Sequence, residues 1–116
     1  MLTSAGRAWL AGRATGEDTR SIAQVGIGSD GTVPTATDSA LVSEIARASA
    51  VASADGDVVT VTASFDLAQA YTVREVGVFL DDGTLIGRWV LADTLIGAAE
   101  PLDVTVEFRV SDGGVY

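Results

Sequence analysis

The sequence predicts a mainly β chain, an antiparallel β-sandwich with a short N-terminal helix and room for one further short helix near residues 38–45. Three observations lead there. Valine leads leucine among the larger apolar residues, and branched side chains pack best on a pleated surface. Stretches of alternating apolar and small polar residues recur from residue 21 onward. Glycine and aspartate separate them at short intervals, the punctuation of an all-β sandwich. The length of 116 residues is that of one domain, spanning 1–116.

The segment TSAGRAWLAGR places Leu2, Gly6, Trp9, Leu10 and Arg13 at helical spacing. Thr3 or Ser4 can cap this helix, and Gly12 or Gly16 can end it. RSIAQVGIGSDG then alternates, with Ala23, Val25 and Ile27 on one side and Ile22, Gln24 and Gly26 on the other. That is a strand running into a glycine turn. After Pro34, Asp38 is placed to cap one or two helical turns through SALVSEI. ARASAVASADGDVVTVTASFD reads as a hairpin turning at Asp55-Gly56. Its alanines at 46, 48, 50, 52 and 54 share one face, and Val59, Val61, Ala63 and Phe65 share one face of the return strand. The alanine run also suits a helix, but the alternating return strand favours the hairpin. A second hairpin, TVREVGVFL and TLIGRWVL, turns at Asp81, Asp82 and Gly83. Neither face of it is strongly polar, so a central position is expected. The last strand, DVTVEFRVS, sets Val104, Val106, Phe108 and Val110 against Thr105, Glu107 and Arg109, before a frayed SDGGVY end.

Charge narrows the function classes. Sixteen carboxylates stand against seven arginines, for a net charge of −9, with no lysine or histidine. A surface this acidic repels phosphate backbones, so nucleic acid is not an expected partner. A GC-rich genome and a salt-rich setting both account for the missing lysine; the excess of acid over base favours salt. No run approaches the ~20 apolar residues of a membrane span, and no secretory signal is present, so no membrane association is expected. Without cysteine there are no disulfides or thiolate metal sites.

Gly26, Gly28 and Gly31 carry the G-x-G-x-x-G spacing of a dinucleotide-binding turn. That mechanism needs a long helix opening directly from the turn. Here Pro34 holds Val33 extended, so the glycines are expected as turn residues with positive φ and close backbone approach. Asp55 and Asp57, like Asp81 and Asp82, fit hairpin corners better than a calcium loop, and no metal or other cofactor is expected. With no histidine, cysteine or lysine, general-base and nucleophilic chemistry lack their usual residues, so no catalytic residue is assigned and no enzyme is expected. Arg74 and Glu75 lie in an apolar strand, where charge is costly unless paired. They reach water at the strand's end or form a buried pair. Trp9 fills the core or anchors a partner.

The order of segments resembles the tail-fibre and tail-collar type proteins of tailed viruses. The elements that carry the resemblance are Val25 to Gly28, Val33 to Thr37, Ser39 to Glu44 and Thr72 to Phe79, between a TSAGRAWLA helix and a terminal strand. It implies a virion structural protein, of a halophilic archaeal or other high-salt host given the charge. It also makes Gly26, Gly28, Gly31, Pro34 and Gly83 structural turn residues, and Arg74 and Glu75 fold-determining or interface residues. A chain of this length, with no shaft or receptor-binding tip, points to an adaptor, fibre or baseplate component, with a capsid-vertex decoration as the alternative. The expected partners are copies of itself, as a trimer or higher oligomer, and neighbouring tail, baseplate or vertex proteins. Leu2, Trp9 and Leu10, with an exposed strand edge, are the expected contacts. A monomeric carbohydrate- or cation-binding sandwich is the alternative of another class.

Overall fold

The computed structural model describes residues 1–96 and 101–109. Val110 and the SDGGVY end lie outside the described residues. The fold is mainly β, with one helix, α1 (Ser4–Thr15), followed by β1 (Ile22–Gly28), β2 (Glu44–Asp55), β3 (Val58–Asp66), β4 (Tyr71–Leu80), β5 (Leu85–Ile96) and β6 (Pro101–Arg109). All strand pairs are antiparallel, in the order β5-β4-β1-β2-β3-β6.

The sheet curls because β2 serves both ends of it. Its first half pairs with β1 from Glu44 to Ser49, and its second half pairs with β3 from Ala50 to Asp55. Two layers result, β5-β4-β1 facing β3-β6, with β2 as the corner. Val25, Ile27, Val76 and Val78 of the first layer meet Val61, Phe65, Val106 and Phe108 of the second in one core. Trp89 of β5 stacks on Phe108 of β6 across the layers, with ring centroids 6.2 Å apart. Ala46, Ala48 and Ala50 pack on this core, whereas Ala52 and Ala54 are exposed near the hairpin tip. Gly56, with φ +60°, makes that two-residue turn, and Gly83, with φ +88°, makes the β4–β5 turn.

Thr3 caps α1, its hydroxyl accepting from the Gly6 amide and donating to the Leu85 carbonyl. Gly16 ends the helix in the left-handed region at φ +77°. Gly6 faces the Ile86 carbonyl so closely that a Cβ would collide with it, so α1 lies directly against β5. Ahead of the helix, Met1 and Arg88 exchange backbone hydrogen bonds of 3.0 Å, and the Thr3 amide donates to the Ile86 carbonyl at 2.9 Å. Met1–Thr3 thereby covers the outer side of β5.

Two expectations need correction. The hairpin expected at the centre has β4 inside the sheet but β5 at its end; one of its apolar faces meets β3 and β6, and the other is covered by α1 and by Leu41 of a loop. No helix forms near 38–45. The Asp38 carboxylate turns back to the Thr35 amide and hydroxyl, at 3.0 and 2.8 Å, and the Val42 and Ser43 amides donate to a side chain of β4 instead of to a helix. No helix among the described residues is long and apolar enough to cross a membrane.

Candidate functional site

Between β1 and β2 runs a connection of 15 residues, 29–43, with neither helix nor strand. Connections this long in a small domain usually carry function or are disordered. This one is ordered by the sheet beneath it. β4 places Glu75 on the sheet face opposite the main core, where it is fully buried, and β5 places the equally buried Arg88 beside it. Arg88 Nε donates to Glu75 Oε1 at 2.9 Å. The Val42 amide donates to the same oxygen at 2.9 Å, and the Ser43 and Asp30 amides donate to Oε2 at 2.8 and 3.2 Å. Both ends of the loop therefore hang on one carboxylate.

The guanidinium holds the middle. Arg88 Nη1 donates to the Thr32 carbonyl at 2.7 Å and lies 3.6 Å from Asp38, while Nη2 donates to the Asp30 carbonyl at 3.3 Å. Within the loop, the Thr32 amide donates to Asp30 at 2.7 Å. That bond and the neighbouring Arg88 and Arg74 charges hold the Asp30 carboxyl below its ordinary range. Burial pushes the Glu75 carboxyl up, but Arg88 and the three amides more than reverse this, and it too sits below its ordinary range. Glu75 accepts four hydrogen bonds and the Arg88 guanidinium donates three, so the buried pair organises backbone.

Glycines make the space. Gly26 and Gly77 are direct cross-strand partners of β1 and β4, and Leu41 of the loop sits over both, with Phe79 and Leu85 as its walls. A Cβ on Gly77 would lie 2.8 Å from Leu41, and one on Gly26 3.0 Å. At Gly28 a Cβ would fall 2.5 Å from both Glu75 Oε2 and the Ser43 carbonyl. The Arg47 guanidinium covers the far side of Phe79, 3.7 Å from its ring centroid.

The expected site residues are placed as follows. Gly26 and Gly28 are strand residues, not turn residues, and neither has positive φ; close approach alone explains them. Gly31 is exposed in the loop, also without positive φ, and Pro34 is half-buried there. Gly83 is the left-handed turn residue expected. The space that the missing side chains of Gly26 and Gly28 leave is filled by Leu41 and Glu75. Glu75 is in a buried pair, but with Arg88; Arg74 is half-buried and donates to the Ser29 carbonyl at 3.2 Å. Leu2 and Trp9 are buried within their own chain, the Trp9 indole donating to the Arg20 carbonyl at 2.8 Å, so they cannot be the exposed contacts expected; Leu10 is half-buried. Asp82 sits at a hairpin corner, where hydrogen bonds from Thr84, and then from Arg20, lower its carboxyl to about 2. Arg88 is the site residue that the sequence reading misses; like Glu75 it is a charge inside an apolar strand, LIGRWVL, and the cost of burying it is the signal that could find it.

Exposed above this support are Val33, 76% accessible, and Val42, 56%. Gly28, residues 33–37, residues 39–44 and the Arg74-Glu75 pair all meet here. Comparison with protein-family models, with curated proteins and with solved structures finds no match to this chain.

Proposed function

We propose that this chain is a non-enzymatic structural protein of a virion, an oligomeric adaptor joining tail, fibre or baseplate parts through surface burial. One observation carries the reading: a long loop, held rigid from below by Glu75 and Arg88, offers Val33 and Val42 to solvent. Ordering such a loop in advance removes the entropy cost of ordering it on contact, which is what a docking surface needs. The order of motifs, all meeting at this loop, supports the viral setting. The buried charges hold backbone in place, which supports an assembling role over a catalytic one.

Acidic copies repel one another at low salt, and the Debye length falls from about 10 Å at 0.1 M to 3 Å at 1 M. Sedimentation velocity is expected to show oligomers in concentrated salt that loosen as salt is removed, and Val33→Asp is expected to loosen them further without changing the fold. The same particle at every salt concentration overturns the mechanism. A single-copy protein that turns over a substrate overturns the function.

A further inference from the structure

The two ends of the strand order are treated differently. The outer side of β5 is taken by Met1–Thr3. β6 pairs with β3 over its whole length, from Pro101↔Asp66 to Arg109↔Val58, without a bulge, and among the described residues nothing pairs with its other side. Proteins usually blunt an edge of this kind with a bulge, a proline, charged side chains or a covering segment. β6 has its proline at the first position and no bulge, and its charges, Asp103, Glu107 and Arg109, are of both signs and all on the exposed face. Beside it, between the layers, lies an apolar cleft of about 410 Å³, with Val76, Trp89 and Leu91 on one side and Leu102, Val104 and Val106 on the other.

We propose that β6 is a self-pairing strand: two copies join antiparallel about a two-fold axis through Val106, extending the β3-β6 layer from one subunit into the next. The proposal rests on the assembly reading above and names the occupant of this edge as a second copy of the chain. The register follows from charge. In such a pair, residues on the same face of the pleat stand opposite one another, so the axis passes through a residue. An axis through Thr105 sets Asp103 against Glu107 of the partner subunit twice. One through Glu107 sets that carboxylate against the partner's Glu107. One through Val104 brings no opposite charges together, and one through Phe108 sets Glu107 against the partner's Arg109 twice but overlaps only residues 107–109 of β6, where the Val106 axis overlaps 103–109. The axis through Val106 places Asp103 opposite the partner's Arg109 twice, Thr105 opposite the partner's Glu107, and Val104 opposite the partner's Phe108. Opposite charges across strands stabilise and like charges destabilise, so this register is selected. Asp103 accepts from the Ser64 hydroxyl at 2.6 Å and Arg109 lies 3.6 Å from Asp57, both exposed contacts that leave the charges accessible to a partner. The inward row of Val104, Val106 and Phe108 would then continue across the subunit boundary beside the cleft. The result is an isologous interface.

The full chain, in concentrated salt, supplies the test. Asp103→Arg and Arg109→Asp are each expected to weaken self-association roughly tenfold, and the two together in one chain to restore it. Register is read separately with cysteine, which the chain otherwise lacks. Opposed strand residues lie within disulfide reach. A mixture of Thr105→Cys and Glu107→Cys chains is expected to form a mixed disulfide dimer on mild oxidation. Efficient cross-linking of Thr105→Cys alone overturns the register, and no cross-link in the mixture overturns the pairing. Oligomers indifferent to the charge exchanges also overturn the pairing, while leaving the assembly reading in place. A protein that stays single-copy at every salt concentration removes both.

Discussion

Glu75 and Arg88 are the residues on which the surface of this protein turns. Their pairing in the interior does not by itself add much stability, because desolvating two charges offsets most of their attraction. Removing one partner is a different matter, since the other remains buried without compensation. Glu75→Gln is expected to cost about 3–5 kcal/mol in urea unfolding, together with faster amide exchange at Asp30, Val42 and Ser43. The same carboxylate gives a pH signature. Its pKa is lower folded than unfolded, so the unfolded chain takes up the proton more readily. The stabilisation is complete above the unfolded value of about 4.3 and is lost as pH falls through the folded one. The wild-type chain is therefore expected to lose its advantage over Glu75→Gln progressively below about pH 4.3, read as the difference between their unfolding free energies. The sequence displayed the cost of Glu75 but not its partner. Arg74 is its neighbour in the chain, yet adjacent strand residues point to opposite faces, and only the β4–β5 pairing brings Arg88 across.

At the scale of elements, the G-x-G-x-x-G spacing separates into two requirements and a bystander. Gly28 must lack a Cβ so that Glu75 and Ser43 can meet over it, and Gly26 must lack one to admit Leu41. Gly31 has nothing closer than 3.7 Å to an added Cβ and no positive φ. Gly28→Ala is expected to cost about 1–3 kcal/mol through overpacking, whereas Gly31→Ala should stay within about 0.5 kcal/mol; thermal unfolding of the two variants distinguishes them. A nucleotide fingerprint would have ranked these glycines together. The N-terminal helix, both hairpins and the alternation of β3 and β6 were legible because each is set by local spacing, capping and turn chemistry. The helix near 38–45 was misread because Asp38 has two backbone directions in which to hydrogen-bond, and the competition was settled by Glu75, more than 30 positions along the chain.

For the molecule as a whole, the arrangement is asymmetric. One end of the sheet is closed by the N-terminal residues and α1, and one face is covered by the pinned loop. Among the described residues nothing pairs with the outer side of β6, and Val33 and Val42 of the loop are exposed; these are the surfaces that the proposed assembly would use. Net charge sets the conditions under which such surfaces can meet, and that is why salt is the variable to change in the sedimentation experiment. The low-salt limit tests charge repulsion, and Val33→Asp tests the apolar contact that opposes it.

The sequence by itself determined the secondary structure class, the turns at Gly56 and Gly83, the capping of α1 and the acidic surface, because these depend on neighbours within a few residues or on composition alone. Only the tertiary structure decided that Leu2 and Trp9 face inward, that Glu75 pairs with Arg88, and that the motif glycines make room for a loop. Those outcomes depend on which strands lie side by side and on where the sheet folds over at β2. Local periodicity specifies the faces of a strand but not the strand that will stand beside it.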